Sequence, residues 1–289
     1  MKDEEFLFES TPGMHILYAD CSRPAYPEFY PEIPYRKRDG RTLHIQLLTT
    51  AKSGEKQPLL VYIQGSAWLE QNRHRHLLKL TRFAMEGYVV ASVEYRPSTL
   101  AQFPAQILDT RAAIAFLCKH AQEYAIDPQR IAIFGDSSGG HTAVMTALAQ
   151  GALFEEEGVH VPPLRAVVDF YGPSALDRMS DFPSDMDHAD IQSPECLLIG
   201  GKLNENHARV QAADPRSYIS PDRRLPPVLI LHGDRDATVP FNQSLLLYEK
   251  LRDCGQNTEF YKVHGAGHGT GMWCTRVLDV VSAFLQAYV

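Results

Sequence analysis

The 289-residue chain has no apolar run of about 18 residues, so no membrane-spanning helix is expected. Its first residues, Met1 to Phe6, are acidic and lack the apolar centre of a secretory signal, which makes a cytoplasmic protein the expectation. Cysteine is scarce. Cys21, Cys118, Cys196, Cys254 and Cys274 are odd in number, widely spaced and form no C-x-x-C, as expected of scattered reduced thiols. Positive charge is in deficit: 28 Lys and Arg against 35 Asp and Glu leave a formal charge of -7, which argues against a nucleic-acid partner. No repeat or low-complexity tract interrupts the chain. What is present, 44% apolar and 22% charged residues, fits one soluble α/β domain over residues 1–289.

The order of elements gives the class. Residues 1–34 interleave Pro24, Pro27, Pro31 and Pro34 with aromatics, and read as an irregular N-terminal arm because proline denies helix and central strand. Residues 35–48 read as a hairpin around Asp39-Gly40. Apolar, β-branched runs at 59–63, 88–93, 131–134, 166–170, 228–231 and 260–263 then predict strands. Helical periodicity covers 105–119, and residues 275–288 close the chain as a helix. Alternation of this kind implies a mostly parallel sheet covered on both faces. Residues 172–226 carry no strong strand and are expected to be a small cap insertion over the carboxyl ends of the strands.

The most informative stretch is Gly135-Asp136-Ser137-Ser138-Gly139, a G-x-S-x-G between a predicted strand and a predicted helix. In that context it is a nucleophile elbow, whose strained turn pushes the Ser137 hydroxyl outward at a helix N-terminus. A serine nucleophile needs a base, an acid that orients the base, and donors for the oxyanion. Both later strands run into suitable loops: His232-Gly233-Asp234-Arg235-Asp236, and His264-Gly265-Ala266-Gly267-His268-Gly269. His268 is preferred to His264 as base because its flanking glycines free it to reach the elbow. Asp236 is preferred to Asp234 as acid because it lies further past its strand, while Asp234 is placed to cap backbone N–H groups. The oxyanion donors are expected to be the backbone N–H groups of Ser66, Ala67 and Ser138.

Together these motifs resemble the bacterial esterase/lipase group of α/β hydrolases, allied to hormone-sensitive-lipase-like carboxylesterases and small acetylxylan and feruloyl esterases. The resemblance runs from about Leu59 to the final helix. It includes Phe103-Pro104, Asp127-Pro128, Val168 to Pro173, Pro226 to Asp236 and Gly265 to Gly269. It implies the α/β-hydrolase fold and Ser137, Asp236 and His268 as the triad. One departure stands at the oxyanion loop, where the family's His-Gly-Gly-Gly-Trp or His-Gly-Gly-Ala-Trp is replaced by Gln64-Gly65-Ser66-Ala67-Trp68. Here the Ser66 hydroxyl is an extra candidate donor or substrate contact.

The function so implied is a serine carboxylesterase for short-acyl or aromatic-acyl esters, acetyl or feruloyl, on carbohydrate fragments or small alcohols. Its partner is a small-molecule ester, with no cofactor, metal, nucleic acid or membrane. The oligomeric state is open, a homodimer being one option. The chemical rival is an amidase such as an arylformamidase, and the rival from another class is a non-catalytic binding protein on the same fold. Trp68 is a candidate wall of the acyl or leaving-group pocket, whereas Trp273 and His141 read as packing. The clusters His74-Arg75-His76 and Asp185 to Asp190 lack the spacing of a zinc site and read as solvated loops.

Overall fold

The computed structural model describes residues 11–18, 26–52 and 54–289. Among them, eight strands form one sheet: β1 (Glu28–Arg38), β2 (Arg41–Thr49), β3 (Gln57–Ile63), β4 (Val89–Val93), β5 (Ile126–Asp136), β6 (Ala166–Phe170), β7 (Val228–Gly233) and β8 (Thr258–Val263). Their spatial order is β1-β2-β4-β3-β5-β6-β7-β8. The pairs β1–β2 and β2–β4 are antiparallel, and every later pair is parallel. The central strands are buried along their length, which explains why they read as unbroken apolar runs.

Helices α1 (Leu77–Met85), α2 (Ala105–Lys119), α3 (Ser138–Leu148), α6 (Asn242–Asp253) and α7 (Thr275–Tyr288) cover the sheet; α4 (Pro194–Ile199) and α5 (His207–Ala212) are short. Alternate residues of β3 divide between the two faces. Leu59, Val61 and Ile63 pack with Ala113 and Leu117 of α2, Val144 of α3 and Leu247 of α6. Leu60 and Tyr62 pack with Phe83 of α1 and Val281 and Phe284 of α7. None of the helices among the described residues is long and apolar enough to cross a membrane.

One expectation needs correction. Residues 28–34 are not an irregular arm but the start of β1. Pro31 and Pro34 are tolerated because β1 is the edge strand and its register shifts at Tyr30/Ile33 and Pro34/Arg36, so the missing N–H groups interrupt nothing central. Residues 1–10 and 19–25 of the expected arm lie outside the described residues, Cys21 among them. The hairpin turn itself is as read, with positive φ at both Asp39 (49°) and Gly40 (76°). Residues 172–226 hold no strand, as read, and fold as short helices packed in part against α2 and α3. Leu176, Leu198, Ile199, Val210 and Ala213 close a third apolar cluster there with Trp68, Ile107 and Met145.

Candidate active site

The site is built from loops at the carboxyl ends of β3, β5, β7 and β8. Strand β5 turns into α3 at Ser137, whose φ of 53° and ψ of -129° are strained for a residue with a side chain. The turn closes only with glycine on either side. A Cβ at Gly135 would overlap the Gly139 carbonyl, and one at Gly139 would overlap the Ile63 carbonyl of the neighbouring strand.

The loops after β7 and β8 bring a histidine and a carboxylate to this serine. The Ser137 hydroxyl lies 2.9 Å from His268 Nε2, and His268 Nδ1 lies 2.8 Å from Asp236 Oδ2. The second Asp236 oxygen accepts the backbone N–H groups of Thr238 and Val239, each at 2.9 Å. Burial alone would raise the Asp236 carboxyl, but hydrogen bonds from His232 and His268 hold it well below the usual carboxylate range. His232 is fully buried, with Nε2 3.0 Å from the Val239 carbonyl and 3.3 Å from Asp236 Oδ2, and Nδ1 2.7 Å from the Ser244 hydroxyl. Two acceptors on one side fix the proton on Nε2. Asp234 sits apart, accepting the Gly265 N–H and pairing with the exposed His264.

Of the three expected oxyanion donors, the structure leaves two free. Among the described residues, the N–H groups of Ala67 and Ser138 have no hydrogen-bond partner. The Ser66 N–H instead donates to Ser138 Oγ at 2.9 Å, so Ser66 braces the loop. Its hydroxyl donates to the Leu69 carbonyl, which leaves it to accept from Tyr95. The loop is tied to the elbow by Asp136, which accepts the Gly65 N–H at 2.9 Å and the Tyr62 hydroxyl at 2.5 Å. Gln64 bonds only the adjacent Gly65 carbonyl, and Gln71 binds the Gln64 carbonyl from outside. Asp136, Gln71 and His232 carry no sequence signature of these roles beyond lying in or near the motifs.

A cavity of about 650 Å³ opens beside Ser137, lined in part by Ala67, Arg75, His76, Lys79, Tyr171, His268 and Trp273. The two tryptophans exchange the parts expected of them. Trp68 is 2% exposed and edge-on to His141, which accepts its indole N–H and lies 2.8 Å from the Ala213 carbonyl. It is core, packed with Phe103, Ile107 and Met145, and the loop that carries it has positive φ at Ala67 (56°) and Trp68 (54°). Trp273 lines the cavity, stacked on His76 at 4.4 Å and bonded to the Tyr171 hydroxyl. His76 is buried, not a solvated-loop residue, and burial pushes its imidazole down to about 4. No residue of 172–226 is among those that line this cavity.

The insertion does reach the acid's loop. Ser184 Oγ lies 2.9 Å from His188 Nε2, and His188 Nδ1 lies 3.1 Å from Glu195. His188 and Glu195 are buried, contrary to the solvated-loop reading of His188. This second Ser–His–acid chain differs in its surroundings. Ser184 Oγ also lies 3.1 Å from the carbonyls of Ala237 and Thr238 and accepts the Met186 N–H, which makes it a strut under the Asp236 loop.

Residues 45–251 match the BD-FAE family model. Esterase LipQ of Mycobacterium tuberculosis is 28% identical over 284 residues, covering 95% of this chain and 64% of that protein. LipM of the same organism, a probable carboxylic ester hydrolase, is 30% identical over 71% of this chain and 47% of its own length. The chain thus spans about half to two thirds of these curated relatives. A truncated carbohydrate esterase from gut microbiota superposes with a TM-score of 0.78 at 29% identity, covering 91% of this chain and 96% of that one. A thermophilic esterase of Thermogutta terrifontis, at 24% identity and a TM-score of 0.72, shares the fold.

Proposed function

The chain belongs to the BD-FAE family, in the esterase group of the α/β hydrolases, and on that premise we propose a serine carboxylesterase for small short-acyl or feruloyl esters. The observation that carries the reading is the continuous chain from Ser137 through His268 to Asp236, at 2.9 and 2.8 Å. In the proposed cycle Ser137 Oγ attacks the ester carbonyl while His268 Nε2 takes its proton. The N–H groups of Ala67 and Ser138 receive the oxyanion, each such donor being worth roughly 10²–10³ in rate. His268 returns the proton to the leaving alcohol, and water repeats the sequence on the acyl-enzyme. Asp236 holds the His268 tautomer and stabilises the imidazolium throughout.

The similarity to a carbohydrate esterase from gut microbiota supports acylated carbohydrate fragments as the substrate class. Cys118, Cys196, Cys254 and Cys274 are free, which supports a cytoplasmic setting. The test is a panel of chromogenic acetyl, butyryl, octanoyl and feruloyl esters run beside formyl-kynurenine. Turnover of acetyl or feruloyl esters is the expected result. Turnover of formyl-kynurenine alone would replace this reading with the amidase one.

A further inference from the structure

The wall of the cavity opposite in chemistry to its acid–base chain is cationic. Arg75 lies in the turn that leads into α1 and Lys79 in the first turn of that helix, and both line the cavity that Ser137 opens into. Lys79 Nζ stands 4.9 Å over the Trp273 ring, which is stacked on the buried His76. Among the described residues neither Arg75 nor Lys79 has a carboxylate within ion-pair distance, and the charge of Asp136 acts on Lys79 from further off. The arginines on either side are paired: Arg73 with Glu32, and Arg82 with Glu86 and Asp279.

The one carboxylate lining the cavity is Asp136, 5% exposed and already accepting the Tyr62 hydroxyl and the Gly65 N–H. Asp136 and, behind His268, Asp236 are the carboxylates near these cations, and both already accept hydrogen bonds from within the protein, which leaves the donors of Arg75 and Lys79 for an incoming carboxylate. Lys79 is partly desolvated against Trp273, and burial lowers its pKa. A returning negative charge would therefore meet a less screened cation than one in open solvent. Trp273 supplies a flat apolar surface on which a sugar ring or an aromatic ring can rest.

Resting on the esterase reading above, we infer that Arg75 and Lys79 recognise a carboxylate carried by the ester substrate, on either its acyl or its alcohol part. The enzyme then prefers monoanionic esters, such as those of acidic sugars, hydroxy acids or dicarboxylic acids, over neutral ones of the same shape.

Two matched pairs test this and separate the two sides of the ester. On the alcohol side, 4-acetoxybenzoate is compared with 4-acetoxybenzamide; on the acyl side, 4-nitrophenyl hydrogen adipate is compared with 4-nitrophenyl adipamate. In one pair kcat/KM should favour the anion by about tenfold at low salt, mostly through KM, and the preference should fall to about twofold or less in 0.5 M NaCl. The Arg75→Gln/Lys79→Gln double variant should lose the preference, with folding checked by circular dichroism. Equal rates within both pairs, or a preference that survives salt, would overturn the inference while leaving the esterase reading intact. A preference retained by the folded double variant would likewise overturn it. Should the double variant not fold, the salt titration of the unmodified protein still decides. Failure to hydrolyse any of the four esters would overturn the esterase reading, and this inference with it.

Discussion

Donors converge on Asp236 from four directions: the N–H groups of Thr238 and Val239 and the rings of His232 and His268. Because its folded pKa lies below the unfolded one, the stability this carboxylate lends is full above about pH 4 and fades as pH falls further. Asp236→Asn should cut kcat by about 10³–10⁴ with little change in KM, by spoiling the His268 tautomer, and should lower Tm at pH 7. Asp234→Asn, which loses contacts to His264 and Gly265 only, should change kcat by less than about twofold. Steady-state kinetics of the two variants check this, and the reverse pattern would make Asp234 the acid. The tryptophans separate in the same way. Trp68→Phe removes the donor to His141 and should cost about 1–2 kcal/mol of stability without altering the acyl-length profile. Trp273→Ala removes a cavity wall and should raise KM severalfold. Denaturant titration and KM values for both variants settle the assignment.

At the scale of elements, β6 carries a group whose ionisation opposes the fold. Asp169 is fully buried behind the elbow, and burial pushes its carboxyl up to about 7 against the opposing effect of the Gly172 N–H bond. Between about pH 4 and 7 the folded state keeps a proton that the unfolded chain has released, so folding is favoured in acid and loses ground as pH rises through 7. Asp169→Asn retains the acceptor for Gly172 without the charge. Its Tm relative to the parent should therefore climb by roughly 3–6 °C between pH 5 and pH 8.5, measured by thermal melts; a flat difference would contradict it. The strands of the parallel sheet were legible as apolar runs because both of their faces are buried. Helices α2 and α7 have the bounds that their periodicity predicts. Helix α1 was not legible, since it buries only Leu80, Phe83 and Ala84. Helix α6 was hidden because two of its buried positions are Gln243 and Ser244, and Gln243 is there to bind the backbone at Ser174 and Ala175. Proline misled at β1, where edge position outweighs the loss of N–H groups. Ser137, Asp236 and His268 were readable from spacing, whereas the directions of Trp68, Trp273 and the Ser66 N–H depend on loop dihedrals that no residue type encodes.

For the molecule as a whole, the cavity beside Ser137 carries Arg75, His76, Lys79 and Thr238 among its lining residues, a polar wall that suits a soluble ester. Hydrolysis of p-nitrophenyl esters should peak at about two to four acyl carbons and fall sharply by about eight, since each methylene left unburied forgoes about 0.8 kcal/mol. A kcat/KM series along chain length reads this out, and a maximum at long chains, or a jump above the solubility limit, would mean a lipase. The same fold holds two Ser–His–acid chains, one at Ser137 facing a cavity and free N–H donors, the other at Ser184 bonded to backbone. Which serine reacts in the intact protein is the most direct question to ask of it. Treatment with a fluorophosphonate, followed by intact-mass measurement and peptide mapping, should give one adduct per chain, on Ser137, with turnover lost in proportion and no adduct in Ser137→Ala. An adduct on Ser138 or Ser184, or full esterase activity in Ser137→Ala, would contradict the account.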